Sequence, residues 1–350
     1  MNNPVVHKAP GATRTQALEH WGIDGLRLGI SVGGSSNTLE WEAARNWVER
    51  ADRAGLHSVW MPEMHFAQGG NTSPLLALAA LATHTKKIRL ATTSLLIPIH
   101  NPLRIAEEIA SLDRLSRGRV IVGLGRGFRA PLFSAFGIDQ ATKRQRFDAA
   151  LDLILAAWRE EEVSLKGTLF ESMREAAPTR IPPPYQSPHP PLAVAAFGPK
   201  GLAQAARRGL PYLASPIETF AQIRENLSRY REAMGEASAP GRWVSPIMRT
   251  VFVSDNPAAC RRVMDAIEGE GRPGGSTAKL PAAVARAVAA PASERVIVGS
   301  SQAVQERLAE YAETLRMNLL VVRPQVPGAD ESERIASLEQ LAAEVLPAIN

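Results

Sequence analysis

One cysteine in 350 residues, Cys260, leaves nothing for it to pair with inside the chain, so no disulfide framework holds this protein together. No cluster of cysteine and histidine has zinc-binding spacing. Both absences fit a reducing cytoplasm. Residues 1–25 lack the apolar core of a signal peptide, and no hydrophobic run is long enough to span a bilayer, so a soluble protein without membrane contact is expected. Basic runs are missing too. The 40 basic residues are interleaved with 35 acidic ones, which leaves no electrostatic footprint for nucleic acid despite a net charge of +5. No Gly-x-Gly-x-x-Gly follows the first expected strand, which excludes a dinucleotide-binding domain of the Rossmann kind.

What is present is alternation. Residues 26–32, 57–61, 88–96, 120–127, 192–197, 212–214, 247–253 and 318–322 read as eight short strands. Amphipathic helices are expected between them, over 39–54, 74–85, 102–116, 139–162, 200–208, 217–234, 257–268 and 302–314, with a closing helix over 332–346. Residues 296–299 read only as a lead into the helix at 302. Strands that alternate with helices are parallel, because a parallel pair needs a long crossover. The fold class expected is therefore α/β, a single (β/α)8 TIM barrel over residues 26–350 behind a short lead-in, with a possible helix at 15–21. Two stretches break the pattern and read as insertions: a proline-rich one near 163–190, and a glycine-rich and alanine-rich one near 269–294 that could form a lid.

In such a barrel the loops after the strands carry the chemistry. Polar residues gather there: Glu63 and His65 after the second strand, Thr93 and Ser94 in the third, Arg126 at the end of the fourth. Read alone, His65 is as easily a brace as a catalytic group. Glu63 reads as the partner of an arginine inside the barrel, and His100-Asn101-Pro102 as a turn that starts a helix.

The run Trp60-Met61-Pro62-Glu63-Met64-His65-Phe66 is followed by Pro98-Ile99-His100-Asn101-Pro102-Leu103-Arg104-Ile105-Ala106-Glu107-Glu108. Then come Asp113-Arg114-Leu115-Ser116-Arg117-Gly118-Arg119 and Gly123-Leu124-Gly125-Arg126-Gly127-Phe128. In order and spacing this series resembles the bacterial luciferase-like flavin-dependent monooxygenases. The resemblance implies an oxidoreductase that binds reduced FMN at the carboxyl ends of its strands and uses O2 to oxidise a small organic substrate. FMN would come from a separate flavin reductase, and the enzyme would be a homodimer.

Residue by residue, the resemblance assigns His65 a catalytic role and gives the flavin phosphate to Arg126 and Arg144. Gly198, Pro199 and Lys200 stand where the family often presents small hydroxyl residues to that phosphate. Thr93-Ser94 stands where many members have a non-proline cis peptide beneath the flavin ring. Trp60, Met64, Phe66 and Leu124 would line the substrate pocket. The chain departs from the family at Met64, where the usual first histidine of the Glu-His-His-Phe motif is absent. Two other readings follow: a relative that uses the deazaflavin coenzyme for hydride transfer, or a non-catalytic flavin-binding homologue.

Overall fold

The computed structural model describes residues 14–33, 41–66, 69–159, 161–173, 179–235, 244–269 and 282–350. The chain forms two compact units. In chain order, helix α1 (Arg14–Trp21) precedes strand β1 (Arg27–Ser31). The unit formed by Gly29–Ala195 continues with α2 (Trp41–Arg53), β2 (Ser58–Met61), α3 (Pro74–His84) and β3 (Arg89–Leu95). It ends with α4 (Pro102–Leu115), β4 (Val120–Leu124), α5 (Ala130–Ala135), α6 (Lys143–Trp158) and β5 (Leu192–Ala195).

The strands of this unit pair in parallel, β1 with β2, β2 with β3, β3 with β4 and β4 with β5. Val59, Trp60, Met61, Leu90, Ala91, Ile121 and Val122 are fully buried. Strands covered on both faces read as unbroken apolar runs, which is why they stood out in the sequence. Their amino ends are locked by polar residues that serve stability. Asp52 accepts the backbone N–H groups of Lys86, Lys87 and Ile88, and Arg119 donates to the carbonyls of Ala82 and Ile88. Asn101 caps α4 by accepting from Leu103 and Arg104, with Pro102 in the first turn, as the sequence led us to expect.

The other unit contains α7 (Pro199–Arg207), β6 (Tyr212–Leu213), α8 (Phe220–Met234), β7 (Pro246–Val253) and α9 (Pro257–Gly269). It continues with α10 (Ala282–Ala289), β8 (Val296–Gly299), α11 (Ser301–Leu315), β9 (Leu319–Val322) and α12 (Glu331–Gln340). The first half of β7 pairs with β9 and the second half with β8, both in parallel.

The eight-strand count thus falls short by one, because Val296–Gly299 is a strand. Its four residues are too few to show a period. Helix α5 was also missed, being only six residues long. Residues 39 and 40 of the helix expected over 39–54, and residues 270–281 of the second insertion, lie outside the described residues; the remainder of that insertion carries α10. The first insertion is largely irregular in its described parts, with one bridge between Val163 and Thr179 and a cis bond at Ser187–Pro188.

Candidate active site

The carboxyl ends of β2 and β3 bring three titratable groups together. Glu63, two residues past β2, has its side chain wholly buried. Its Oε1 accepts from His65 Nε2 at 2.6 Å and from His100 Nε2 at 2.7 Å, and its Oε2 accepts from the Leu96 backbone N–H at 2.6 Å. Burial pushes the Glu63 carboxyl up, but the hydrogen bond and charge of His100, the Leu96 N–H and the hydrogen bond from His65 outweigh it. The net direction is below the usual glutamate value. Glu63 therefore pairs with two histidines, not with the arginine expected. His100, read from sequence as part of a turn, is one of them.

His65 is mostly enclosed by aromatic rings. Phe136 meets it edge-on at 5.1 Å between centroids and Phe66 lies at 5.9 Å, with 6.0 Å between the two phenyl rings. Phe66 holds a left-handed backbone, with φ of 55°, and is 69% exposed. Bulky residues rarely adopt that conformation. Met64 is half-buried, and its N–H donates to the Asn71 carbonyl. Trp60 and Leu124 are wholly buried, with the Trp60 indole N–H committed to Ser58 Oγ at 2.8 Å.

The ends of β3 and β4 approach each other closely. The Thr93–Ser94 peptide bond is cis, and the register of β3 against β4 shifts there, so that Leu95 rather than Ser94 stands opposite Leu124. Gly125 follows β4 and packs on Ser94, where a side chain would collide with the Ser94 hydroxyl.

Arg126 comes next, half-buried, with Nη2 donating to the Ala195 carbonyl at 3.0 Å. Burial first, and then the charge of Arg144, lower it to about 10, while Asp148 opposes the shift. Lys143 is lowered by burial and by the charges of Arg144 and Arg126. Three cations thus act on one another, with Asp148 as the carboxylate opposing the shift of Arg126. Lys143 was missed in the sequence; it opens α6, where a lysine ordinarily reads as solvated. Arg144 is exposed. In the other unit, Gly198 caps α7 in an extended conformation and Pro199 takes the first helical position, which leaves backbone N–H groups at that helix start. Pro199 and Lys200 are exposed.

These residues fit a flavin mononucleotide. The cationic group suits a phosphate, and the Ser94–Gly125 contact brings two strands close enough to form a platform for a flat ring. Among the described residues no group of histidine, cysteine and carboxylate side chains could hold a metal ion.

A model of the luciferase-like monooxygenase family matches residues 26–317. The chain belongs to that family, whose members are oxidoreductases. It is 27% identical over 212 residues to the oxygenase component of the flavin-dependent trigonelline monooxygenase of Acinetobacter baylyi, covering 59% of this chain and 57% of that protein. It spans about half the length of several curated relatives that it matches. Among solved structures, monooxygenase RslO1 of Streptomyces bottropensis superposes with a TM-score of 0.74 at 26% identity, covering 93% of this chain and 100% of that one. The coenzyme F420-dependent tetrahydromethanopterin reductase of Methanopyrus kandleri shares the fold, with a TM-score of 0.66 at 17% identity over 93% and 100% of the two chains.

Proposed function

We propose that this chain is the oxygenase of a two-component flavin monooxygenase, which receives reduced FMN from a separate reductase and oxidises a small organic substrate with O2. The observation that carries the reading is the cation group of Arg126, Lys143 and Arg144 beside the Ser94–Gly125 contact, within the same unit as the Glu63–His65 pair. When bound, reduced FMN supplies the electrons that activate O2.

The chain's own residues do the rest. Arg126 and Arg144 hold the phosphate with Lys143. Thr93 and Ser94 support the ring. His65, fixed by Glu63, holds or gives a proton at the Nδ1 that Glu63 leaves unengaged. Phe66 and Phe136 flank His65 and present apolar surface to the substrate, with Met64, Trp60 and Leu124 behind them. This reading carries with it a closed (β/α)8 barrel over residues 26–350 and a cytoplasmic setting.

A homodimer belongs to the same proposal. Helix α3 reads Pro-Leu-Leu-Ala-Leu-Ala-Ala-Leu-Ala-Thr-His, apolar on nearly every face, yet Leu76 is 73% exposed. A helix of that kind is ordinarily buried. Beside it on α4, Leu115 is 56% exposed, and the two helices border a groove of about 910 Å³ with Arg104, Glu107, Glu108 and Arg114 along it. The charges that α4 brings to the groove, two of either sign, suit a two-fold contact with a second copy.

The similarity to a coenzyme F420-dependent reductase supports a second reading, hydride transfer through a deazaflavin. One experiment separates them. Anaerobic titration with reduced FMN, reduced riboflavin and reduced deazaflavin coenzyme is followed by admission of oxygen. Tight FMN binding, weaker riboflavin binding and oxygen consumption support the monooxygenase; preference for the deazaflavin without oxygen consumption moves the assignment to hydride transfer.

A further inference from the structure

Glu63 Oε1 is shared. Both His65 Nε2 and His100 Nε2 lie within 2.7 Å of that one oxygen, from residues 37 positions or fewer from Glu63, and the remaining oxygen is taken by the Leu96 N–H. An ionised carboxylate only accepts hydrogen bonds, so both Nε2 atoms carry the proton. Each ring then has Nδ1 as its site of proton uptake. Either imidazolium draws its counter-charge from the same buried oxygen, which satisfies one of them better than both.

The two histidines face different surroundings. His65 lies against Phe66 and Phe136, whereas His100 lines the groove between α3 and α4. Besides Glu63 itself, the charged side chains along that groove are Arg104, Glu107, Glu108 and Arg114, all from α4, and Arg104 is paired with Glu108 at 2.6 Å. The α3 side contributes Ser73, Pro74, Leu75, Leu76 and Ala79, none of them charged. Glu63 is thus the one carboxylate hydrogen-bonded to both rings.

We propose that Glu63 joins His65 and His100 into one titrating unit, in which His100 is a positioning residue that decides when His65 takes up a proton. Protonation of His100 at Nδ1 engages the charge of Glu63 and disfavours protonation of His65; a neutral His100 leaves that charge to His65. Nothing but an N–H bond is made or broken, and the proton is exchanged with water. The consequence for catalysis rests on the role proposed above for His65, but the coupling itself needs no flavin. It ties the state of the site to whatever meets His100 in the α3–α4 groove.

The test is a histidine-resolved NMR titration of the flavin-free full chain between about pH 5 and 8, where histidines ordinarily change charge. The wild type should show both rings as the Nε2–H tautomer at high pH, and two coupled protonation steps as pH falls. His100→Gln removes the competitor, so the His65 midpoint should rise and its curve become a single step. Glu63→Gln removes the shared charge, so the His65 midpoint should fall by about one pH unit, a tenfold change in its proton affinity. An independent His65 curve that His100→Gln leaves unmoved overturns the proposal, as does an Nδ1–H tautomer on either ring. Should Glu63→Gln fail to fold, His100→Gln decides alone, since His100 is partly exposed. Because no flavin is present, failure here is distinct from failure of the monooxygenase reading, which the anaerobic titration tests.

Discussion

A methyl group at position 125 would stand 2.1 Å from the hydroxyl oxygen of Ser94 and 2.9 Å from its Cβ. Only glycine lets the end of β4 approach the end of β3 so closely, and that approach shapes the platform proposed for the flavin ring. Gly125→Ala should therefore displace Ser94, cost about 1–3 kcal/mol of stability, and weaken reduced FMN and riboflavin alike. Gly269→Ala is the comparison, because a methyl there meets nothing within 4 Å. Urea unfolding and anaerobic flavin titration of both variants measure the difference.

Arg126 should trade stability for binding. Its folded-state pKa, about 10, lies below the ordinary arginine value, so burying the cation costs stability at every pH below that point and the cost is relieved as pH rises beyond it. Arg126→Met should melt at a higher temperature than wild type near neutral pH without flavin. The same variant should bind reduced FMN about 10- to 100-fold more weakly, the range of one charge-assisted hydrogen bond, with riboflavin little affected. Equal losses for both flavins would remove Arg126 from the phosphate site.

Glu63 predicts an acid-sensitive core. Its folded-state pKa is lowered, so the ionised carboxylate contributes stability that is fully present above the ordinary glutamate value near 4.5 and is lost as pH falls through the lower folded value. Glu63→Gln should cost about 1.5–3 kcal/mol near neutral pH. The gap between variant and wild type should close as the medium is acidified below pH 4.5; a constant gap would mean that packing, not charge, holds Glu63 in place.

Arg249 should prove structural. It is 1% exposed on β7, with Nε donating to Tyr311 Oη at 3.0 Å and Nη1 to the carbonyls of Ser215 and Met248. Burial raises Glu218, while hydrogen bonds from Tyr212, Ser215 and Asn226 and the charge of Arg249 oppose the shift. Arg249→Met leaves Glu218 without that charge, removes these hydrogen bonds and should destabilise by about 1.5–3 kcal/mol. Adding Glu218→Gln should return part of the loss, which a double-mutant cycle of unfolding free energies measures directly.

The proposed homodimer has its own test. Leu76→Glu places a charge on the exposed apolar face of α3 and should shift sedimentation of the chain from dimer to monomer without lowering its melting temperature as a monomer. A dimer that survives the substitution would move the contact elsewhere.

Most of the strand and helix pattern was legible because it is local. Val59–Met61, Leu90–Ala91 and Val120–Val122 are apolar without interruption, and Asn101-Pro102 announces the start of α4. The site was legible in part. Thr93-Ser94 and Arg126 stood out through the family resemblance, whereas Lys143 looked like one more solvated lysine, and Phe136 lies beyond a helix too short to foresee. The signal that could have revealed His100 was its place just past the end of β3, beside the strand whose end carries Glu63 and His65.

By itself the sequence determined the alternation of parallel strands and helices, the lack of a second cysteine for a disulfide within the chain, and the family, because each depends on residue type and spacing along the chain. Tertiary structure alone decided which side chains meet. The pairing of β2 with β3 sets two histidines on one oxygen of Glu63, and the packing of β4 against β3 demands glycine at 125. The Glu63–His100 and Ser94–Gly125 contacts each join residues more than 30 positions apart, and no local preference of the chain encodes a distance of that kind.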